Sequence, residues 1–339
     1  MSECSYYHKS TEFALENGQV LPETDICYHT WGALNDSRDN VIWVCHAFTA
    51  NSDAERWWPG MIGPGCLWDP AEYFIVCANI LGSCYGTTGP LSVNPATGEP
   101  WHLDFPSITV RDVVGLHEVL RDHLGITGIH TVVGGSVGAQ QAMEWAIMNP
   151  SLINHLILIA ANARYLPWGI AFNETQRMAL TADPTFYERS KSAGEKGLKA
   201  ARAAAMLSYR NHTIYNTTQA EEDQELTDNF KASSYLQYQG EKLVSRFHAH
   251  SYFTLTKLLD THNVGRGRGG VEDALALIRA KTLVVGIDTD ILFPTPEQKF
   301  LASHIPGARY VEMQSIYGHD GFLVEITTLI KIVREFYVI

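Results

Sequence analysis

Long apolar runs are missing from this chain. None approaches the roughly 18 residues that a membrane-crossing helix requires, so no transmembrane segment is expected. Positive charge is in short supply too. Lys and Arg number 25 against 37 Asp and Glu, a formal balance of −12, which argues against non-specific binding to nucleic acid or to an anionic membrane surface. Cysteine is sparse, six residues in 339 (Cys4, Cys27, Cys45, Cys66, Cys77 and Cys84). None forms a CxxC pair, and Cys45 ends the apolar run Val41-Ile42-Trp43-Val44-Cys45, so buried free thiols in a reducing compartment are expected. The start, Met1-Ser2-Glu3-Cys4-Ser5-Tyr6, has neither a basic nor an apolar leader segment; the expected location is the cytoplasm. Internal repeats and low-complexity tracts are absent. His248-Ala249-His250 lacks partners at a ligand spacing, so no metal is expected.

What is present is an ordinary globular composition, 45% hydrophobic and 18% charged. At about 150 residues per domain the length allows two domains, or one large domain carrying an insertion. Val41–Cys45, Tyr73–Ala78, Ile129–Val133 and Leu156–Ala160 are apolar throughout and read as buried strands. Between them, Val110, Val113, Val114, His117, Leu120 and Leu124 recur at helical spacing, and a second helix follows Gly138 and stops at Asn149-Pro150. Strands alternating with helices predict an α/β fold, a mostly parallel sheet with helices on both faces. Near Pro167 the pattern becomes helical only: Glu174–Thr181, Gly197–Arg210, Thr217–Phe230 and Tyr235–Phe247, closed by the glycine-rich turn Gly265–Gly270. The α/β pattern then resumes with helix Val271–Arg279, strand Thr282–Ile287, helix Pro296–Ser303, strand Tyr310–Gln314 and a final helix Phe322–Phe336. The division is therefore a core in two parts, residues 1–166 and 278–339, around a helical lid at 167–277.

The sharpest chemical signal is Gly134-Gly135-Ser136-Val137-Gly138, between a strand and the helix it opens. That is the context a GxSxG nucleophile elbow requires, with glycines permitting the tight turn that projects the serine. A bare glycine turn is the bland alternative. A serine nucleophile needs a base, and the base an orienting acid, in the chain order Ser, Asp or Glu, His. Asp288 or Asp290, beyond strand Thr282–Ile287, and His319, beyond Tyr310–Gln314, meet that order. Periodicity does not choose between the aspartates. The loop His46-Ala47-Phe48-Thr49-Ala50 stands where such folds place one oxyanion-hole N–H, here Phe48, the other being Val137. His46 itself is expected to bond loop backbone. Thr49, in the same loop, is a candidate substrate contact. Arg202 and Tyr209 are seven positions apart in a helical stretch and share a face; from residue type alone Arg202 reads as a solvated surface arginine. Arg266 and Arg268, in the glycine-rich turn, read as solvated loop charge, with a contact to a ligand phosphate as the alternative.

His46–Ser52, Gly63-Pro64-Gly65, Ala78–Pro90, Leu103-Asp104-Phe105-Pro106, Asp290-Ile291-Leu292-Phe293-Pro294 and Gly318-His319-Asp320 together resemble the homoserine O-acetyltransferase family, acyltransferases of the α/β-hydrolase fold. The resemblance runs from about Tyr28 to Glu325. It implies acetyl-CoA as co-substrate with no resident cofactor, L-homoserine as acceptor, a ping-pong route through an acyl-serine, a place in methionine biosynthesis, and a homodimer formed through the lid. It makes Asp290 the triad acid, sets Arg202 and Tyr209 at the acceptor, and gives Asp320 the acceptor's amine. Two segments depart from the family pattern, the elbow, where Ala139 also replaces a second Gly, and the oxyanion loop. Val137 stands where Met usually follows the serine, and Phe48 and Ala50 replace the usual Leu and Gly; both changes bear on the acyl pocket. Succinyl-CoA as donor, L-serine as acceptor, and an esterase of the same fold remain the alternative readings. A non-catalytic binding protein is disfavoured by the complete Ser, Asp and His set.

Overall fold

The computed structural model describes residues 4–338. An eight-stranded sheet runs through it in the order β1-β4-β6-β5-β7-β8-β9-β10, with strands β1 Ser5–Lys9, β4 Thr24–Trp31, β5 Val41–Cys45, β6 Phe74–Ala78, β7 Ile129–Gly135, β8 Ile153–Ile159, β9 Lys281–Ile287 and β10 Arg309–Met313. The pairings β1·β4 and β4·β6 are antiparallel; every other pairing in this sheet is parallel. A ribbon of β2 Phe13–Ala14 and β3 Val20–Leu21 lies apart. Side chains alternate across the sheet, so Trp43 and Val132 enter one apolar core while Ile42 and Val133 enter another on the opposite face. Burial on both faces explains why these strands read as unbroken apolar runs.

Helices cover both faces. After the one-turn α1 Ala54–Trp57 come α2 Val110–Leu124 and α3 Val137–Met148. Thr109 and Asp112 form a reciprocal capping box at the start of α2, and Gly125 closes it in the left-handed region at φ 69°. The lid lies between β8 and β9: α4 Pro167–Thr181, α5 Glu195–Tyr209, α6 His212–Thr218, α7 Lys231–Val244, α8 Ala249–Asp260 and α9 Val271–Leu275. The chain ends with α10 Thr295–His304, α11 Gly321–Val324 and α12 Ile326–Val338.

Several expectations need correction. Residues 219–230 are not helical; α6 stops at Thr218. Asp223 and Asp228 accept from the nearby backbone N–H groups of Glu225 and Asn229, and Asn229 takes φ 61°, local bonding that competes with a helix. The expected final helix divides at Glu325, and α9 ends at Leu275 rather than Arg279. Helix α8 was not expected. The cysteines are not all free: Cys4 and Cys27 form a disulfide, because β1 and β4 pair with Tyr6 opposite Cys27, which brings the two Cα atoms to 6.4 Å. That bond removes the cysteine argument for a reducing compartment. Cys45 and Cys77 are buried and free. No helix among the described residues is long and apolar enough to cross a membrane.

Candidate active site

Parallel register brings the candidate loops to one sheet edge. Cys45 pairs with Gly134, Gly135 with Ile159, Ile159 with Val285, and Ile287 with Met313. The segments that follow β5, β7, β9 and β10 therefore emerge together at the C-terminal ends of the strands, where α/β sheets bind ligands.

Ser136 sits between β7 and α3 at φ 58°, ψ −129°, a strained conformation for a residue with a side chain. The turn closes only because its neighbours are small. A Cβ on Gly138 would lie 2.1 Å from the Cys45 carbonyl oxygen, and one on Gly134 would lie 2.2 Å from the Gly138 backbone. Among the described residues Ser136 Oγ makes no hydrogen bond; with His319 it lines a cavity of about 640 Å³. Serine–histidine contacts are often open in unliganded enzymes and tighten in the complex.

His319 is buried, and its Nδ1 lies 2.7 Å from Asp290 Oδ2. The other carboxylate oxygen of Asp290 accepts from the backbone N–H groups of Leu292 and Phe293, at 2.8 and 2.9 Å. Burial works against an imidazolium here, yet the Asp290 carboxylate outweighs it and holds the His319 pKa above the usual histidine value. Phe293 stacks on the imidazole at 5.1 Å, and Phe322 meets it edge-on. Asp288 is engaged elsewhere: its Oδ1 accepts from the Ser315 N–H at 2.9 Å, which ties the β9 and β10 exits together.

Phe48 lines the same cavity and Val137 follows the serine in the chain; neither N–H donates to a protein group among the described residues. His46 is fully buried, 2.9 Å from the Ala47 carbonyl through Nδ1, and accepts from the Ile80 N–H through Nε2. Burial pushes its pKa down to about 4, so it stays neutral and holds backbone.

From the lid, α5 sends Arg202 and Tyr209 into the same cavity, the guanidinium carbon 5.2 Å from the Tyr209 ring centre. Arg202 is half-buried, has no ion-pair partner among the described residues, and its Nε is buried without an acceptor. It is not a solvated surface arginine. Asp320 lines the cavity too, but already pairs with Arg210 at 3.0 Å; burial still raises its pKa. Thr49 is in the wall, its carbonyl taken by Arg246. Tyr165, Asn173, Gln176, Arg56, Trp57, Lys242 and Arg246 also line the cavity and were not singled out from the sequence. Asn173, Gln176 and Lys242 sit on lid helices whose spacing reads only as amphipathic.

Arg266 and Arg268 lie outside the site and are not solvated loop charge. Arg266 pairs with Glu16 at 2.8 Å and Arg268 with buried Glu144 at 2.5 Å, and Arg111 bridges both acids. No group of three or more His, Cys, Asp or Glu among the described residues is arranged to hold a metal ion.

Residues 40–325 match the family described as alpha/beta hydrolase fold. A homoserine O-acetyltransferase of Cyclobacterium marinum is 49% identical over 324 residues, 96% of this chain and 92% of that protein. The crystal structure of a homoserine O-acetyltransferase from Bacillus anthracis superposes with a TM-score of 0.91 at 26% identity, covering 99% of this chain and 97% of that one. Esterase E22 superposes equally well, with a TM-score of 0.91 over 99% of this chain and all of its own (100%), at 24% identity. That last likeness speaks for the fold alone.

Proposed function

This chain belongs to the homoserine O-acetyltransferase family of the α/β-hydrolase fold, and from that premise we propose that it is the enzyme that carries an acetyl group from acetyl-CoA to the hydroxyl of L-homoserine through acyl-Ser136. Ser136 Oγ attacks the thioester carbonyl while its proton passes to His319, whose imidazolium Asp290 stabilises. The Phe48 and Val137 N–H groups receive the oxyanion. Collapse expels the CoA thiolate, which takes the proton from His319. The homoserine hydroxyl then gives its proton to His319 and attacks the acyl carbonyl. The second collapse releases O-acetylhomoserine, and the proton returns to Ser136. The product belongs to methionine biosynthesis, with the cytoplasm as its setting.

The observation that carries this reading is Arg202. A half-buried guanidinium without a carboxylate, in the cavity of the serine, suits an acceptor that brings its own carboxylate. Asp320 takes the acceptor's ammonium, and Tyr209 packs beside both. A homodimer through the lid fits the exposed Trp168, Met178, Leu207 and Tyr238 there.

A donor and acceptor matrix tests the reading: acetyl-CoA or succinyl-CoA against homoserine, serine and water. Rapid CoA release with acetyl-CoA and homoserine alone is expected. A methylene is worth only about 1–3 kcal/mol, so serine should be a weak acceptor rather than an inert one. Equal CoA release in water would favour the esterase reading.

A further inference from the structure

The cavity around Ser136 is lined by four cations and one carboxylate, against the grain of a chain with net charge −12. The carboxylate, Asp320, is already paired with Arg210, and Arg202 is the inner cation. The other three are Arg56 on α1, Lys242 in the last turn of α7 and Arg246 just beyond it, all exposed at the rim. None of these three has an ion-pair partner among the described residues. Of their neighbours in the chain, Glu55 accepts from the Trp31 indole at 3.1 Å and Glu241 pairs with Lys199 at 2.7 Å.

Exposed lysines and arginines are commonly just solvated, but Arg246 is held in place. Its Nη1 donates to the Thr49 carbonyl at 2.5 Å and to the Tyr85 hydroxyl at 2.6 Å, which fixes the guanidinium on the loop that carries Phe48. Its partners are neutral oxygens, so its charge is not cancelled.

We infer that Arg56, Lys242 and Arg246 form a cradle for the phosphates of the acyl donor, a 3′-phosphorylated nucleoside diphosphate joined to the thioester by a long neutral arm. The inference rests on the acyl-CoA reading of the site. In such a donor the charge and the reacting carbonyl sit at opposite ends, so a carbonyl seated at Ser136 leaves the phosphates at the cavity mouth. Guanidinium forks and an ammonium suit phosphate oxygens. The acceptor is small and meets Arg202 inside, so the two substrates of a ping-pong cycle read different cations and share only the serine. A cradle of exposed charge also steers a polyanion inward, an effect that salt weakens.

The test compares acetyl-CoA with acetylpantetheine, which keeps the thioester and lacks the nucleotide, using homoserine as acceptor in each case. K242E and R56E are measured beside K331E, which makes the same charge change on α12. p-Nitrophenyl acetate hydrolysis and thermal melts verify that each variant is folded. Wild-type enzyme should prefer acetyl-CoA by at least about tenfold in kcat/KM, a preference that shrinks in high salt. K242E and R56E should each lose about fivefold of that preference, through KM, and K331E should keep it. Variants that retain the full preference would overturn the cradle while leaving acyl transfer standing. A wild-type enzyme that cleaves p-nitrophenyl acetate but ignores both thioesters would overturn the acyl-CoA reading itself.

Discussion

Ser136 and Asp290 come from the sheet edge, and the backbone fixes both: one by a positive φ between close-packed glycines, the other by two N–H groups on a single carboxylate oxygen. Arg202 and Tyr209 come from helix α5 of the lid, where the Arg202 guanidinium lies over the Tyr209 ring and has no ion-pair partner among the described residues. At the edge the Asp290–His319 pair finds its partners within the protein, whereas on the lid the Arg202 Nε has no acceptor among the described residues. An acid–base pair with its partners in place is already oriented; a cation missing one is poised to bind. An esterase and a homoserine O-acetyltransferase superpose on this chain equally well, so the fold alone does not decide between the two activities.

Breaking the edge should cost most. S136A is expected to lose about 10⁶-fold in rate, since triad members act as a unit, with no acyl adduct detectable by intact mass. Near-normal turnover would remove the serine from the mechanism. D290N should cost about 10⁴-fold, and D288N far less, because Asp288 supports only the Ser315 N–H. The reverse order in folded protein would reassign the acid. The pH profile gives a second readout. Asp290 raises the His319 pKa against burial, and the base must be neutral to work. The acid limb of kcat/KM should therefore lie above the ordinary histidine value near 6.5, and D290N should move it to lower pH.

Breaking the lid should be milder and selective. R202K keeps the charge but loses the planar fork. A charged hydrogen bond of about 1.5–3 kcal/mol predicts a rise of roughly 10- to 100-fold in the homoserine KM, while CoA release without acceptor hardly changes. An unaltered KM would return Arg202 to a structural role.

The smallest effect is on stability. Burial pushes the pKa values of His46, His117 and His262 down to about 4, so all three are neutral in the folded protein. In the unfolded chain they bind protons near pH 6.5, so the unfolded state holds more protons between those values. Stability is therefore complete above about pH 6.5 and falls toward pH 4, by about 1.4 kcal/mol per pH unit for each histidine. Thermal unfolding should show Tm dropping from pH 7 to pH 5; a flat Tm would mean that these rings are solvated.

The edge was also the more legible region. Strand Val41–Cys45, the elbow, the loop holding Asp288 and Asp290, and His319 follow from apolar runs and motif order, because a doubly covered strand leaves no room for polar residues, while the choice of Asp290 came from the family resemblance. Strand β1, at the sheet's edge, and β4 beside it were missed. In β1 half-buried and exposed side chains alternate, β4 mixes Thr24, Asp25, His29 and Thr30 among its apolar residues, and the Cys4–Cys27 bond depends on a pairing that no local spacing records. In the lid, helicity was readable but its gaps were not, since side-chain caps such as Asp223 break a helix that composition favours. Lys242 and Arg246 carry no motif; only folding places them beside Ser136. Arg266 and Arg268 looked solvated until Glu16 and Glu144, distant in the chain, proved to face them.

The central claim is that Ser136 takes up an acyl group that the lid shields from water and yields to homoserine. The direct measurement is the lifetime of the acyl-enzyme, followed by rapid-quench intact mass after one equivalent of acetyl-CoA. The account predicts an acetyl adduct on Ser136 that persists in buffer and is discharged at least about a hundredfold faster by saturating homoserine, with O-acetylhomoserine formed in equal amount. An adduct lost to water as fast as to homoserine would contradict it.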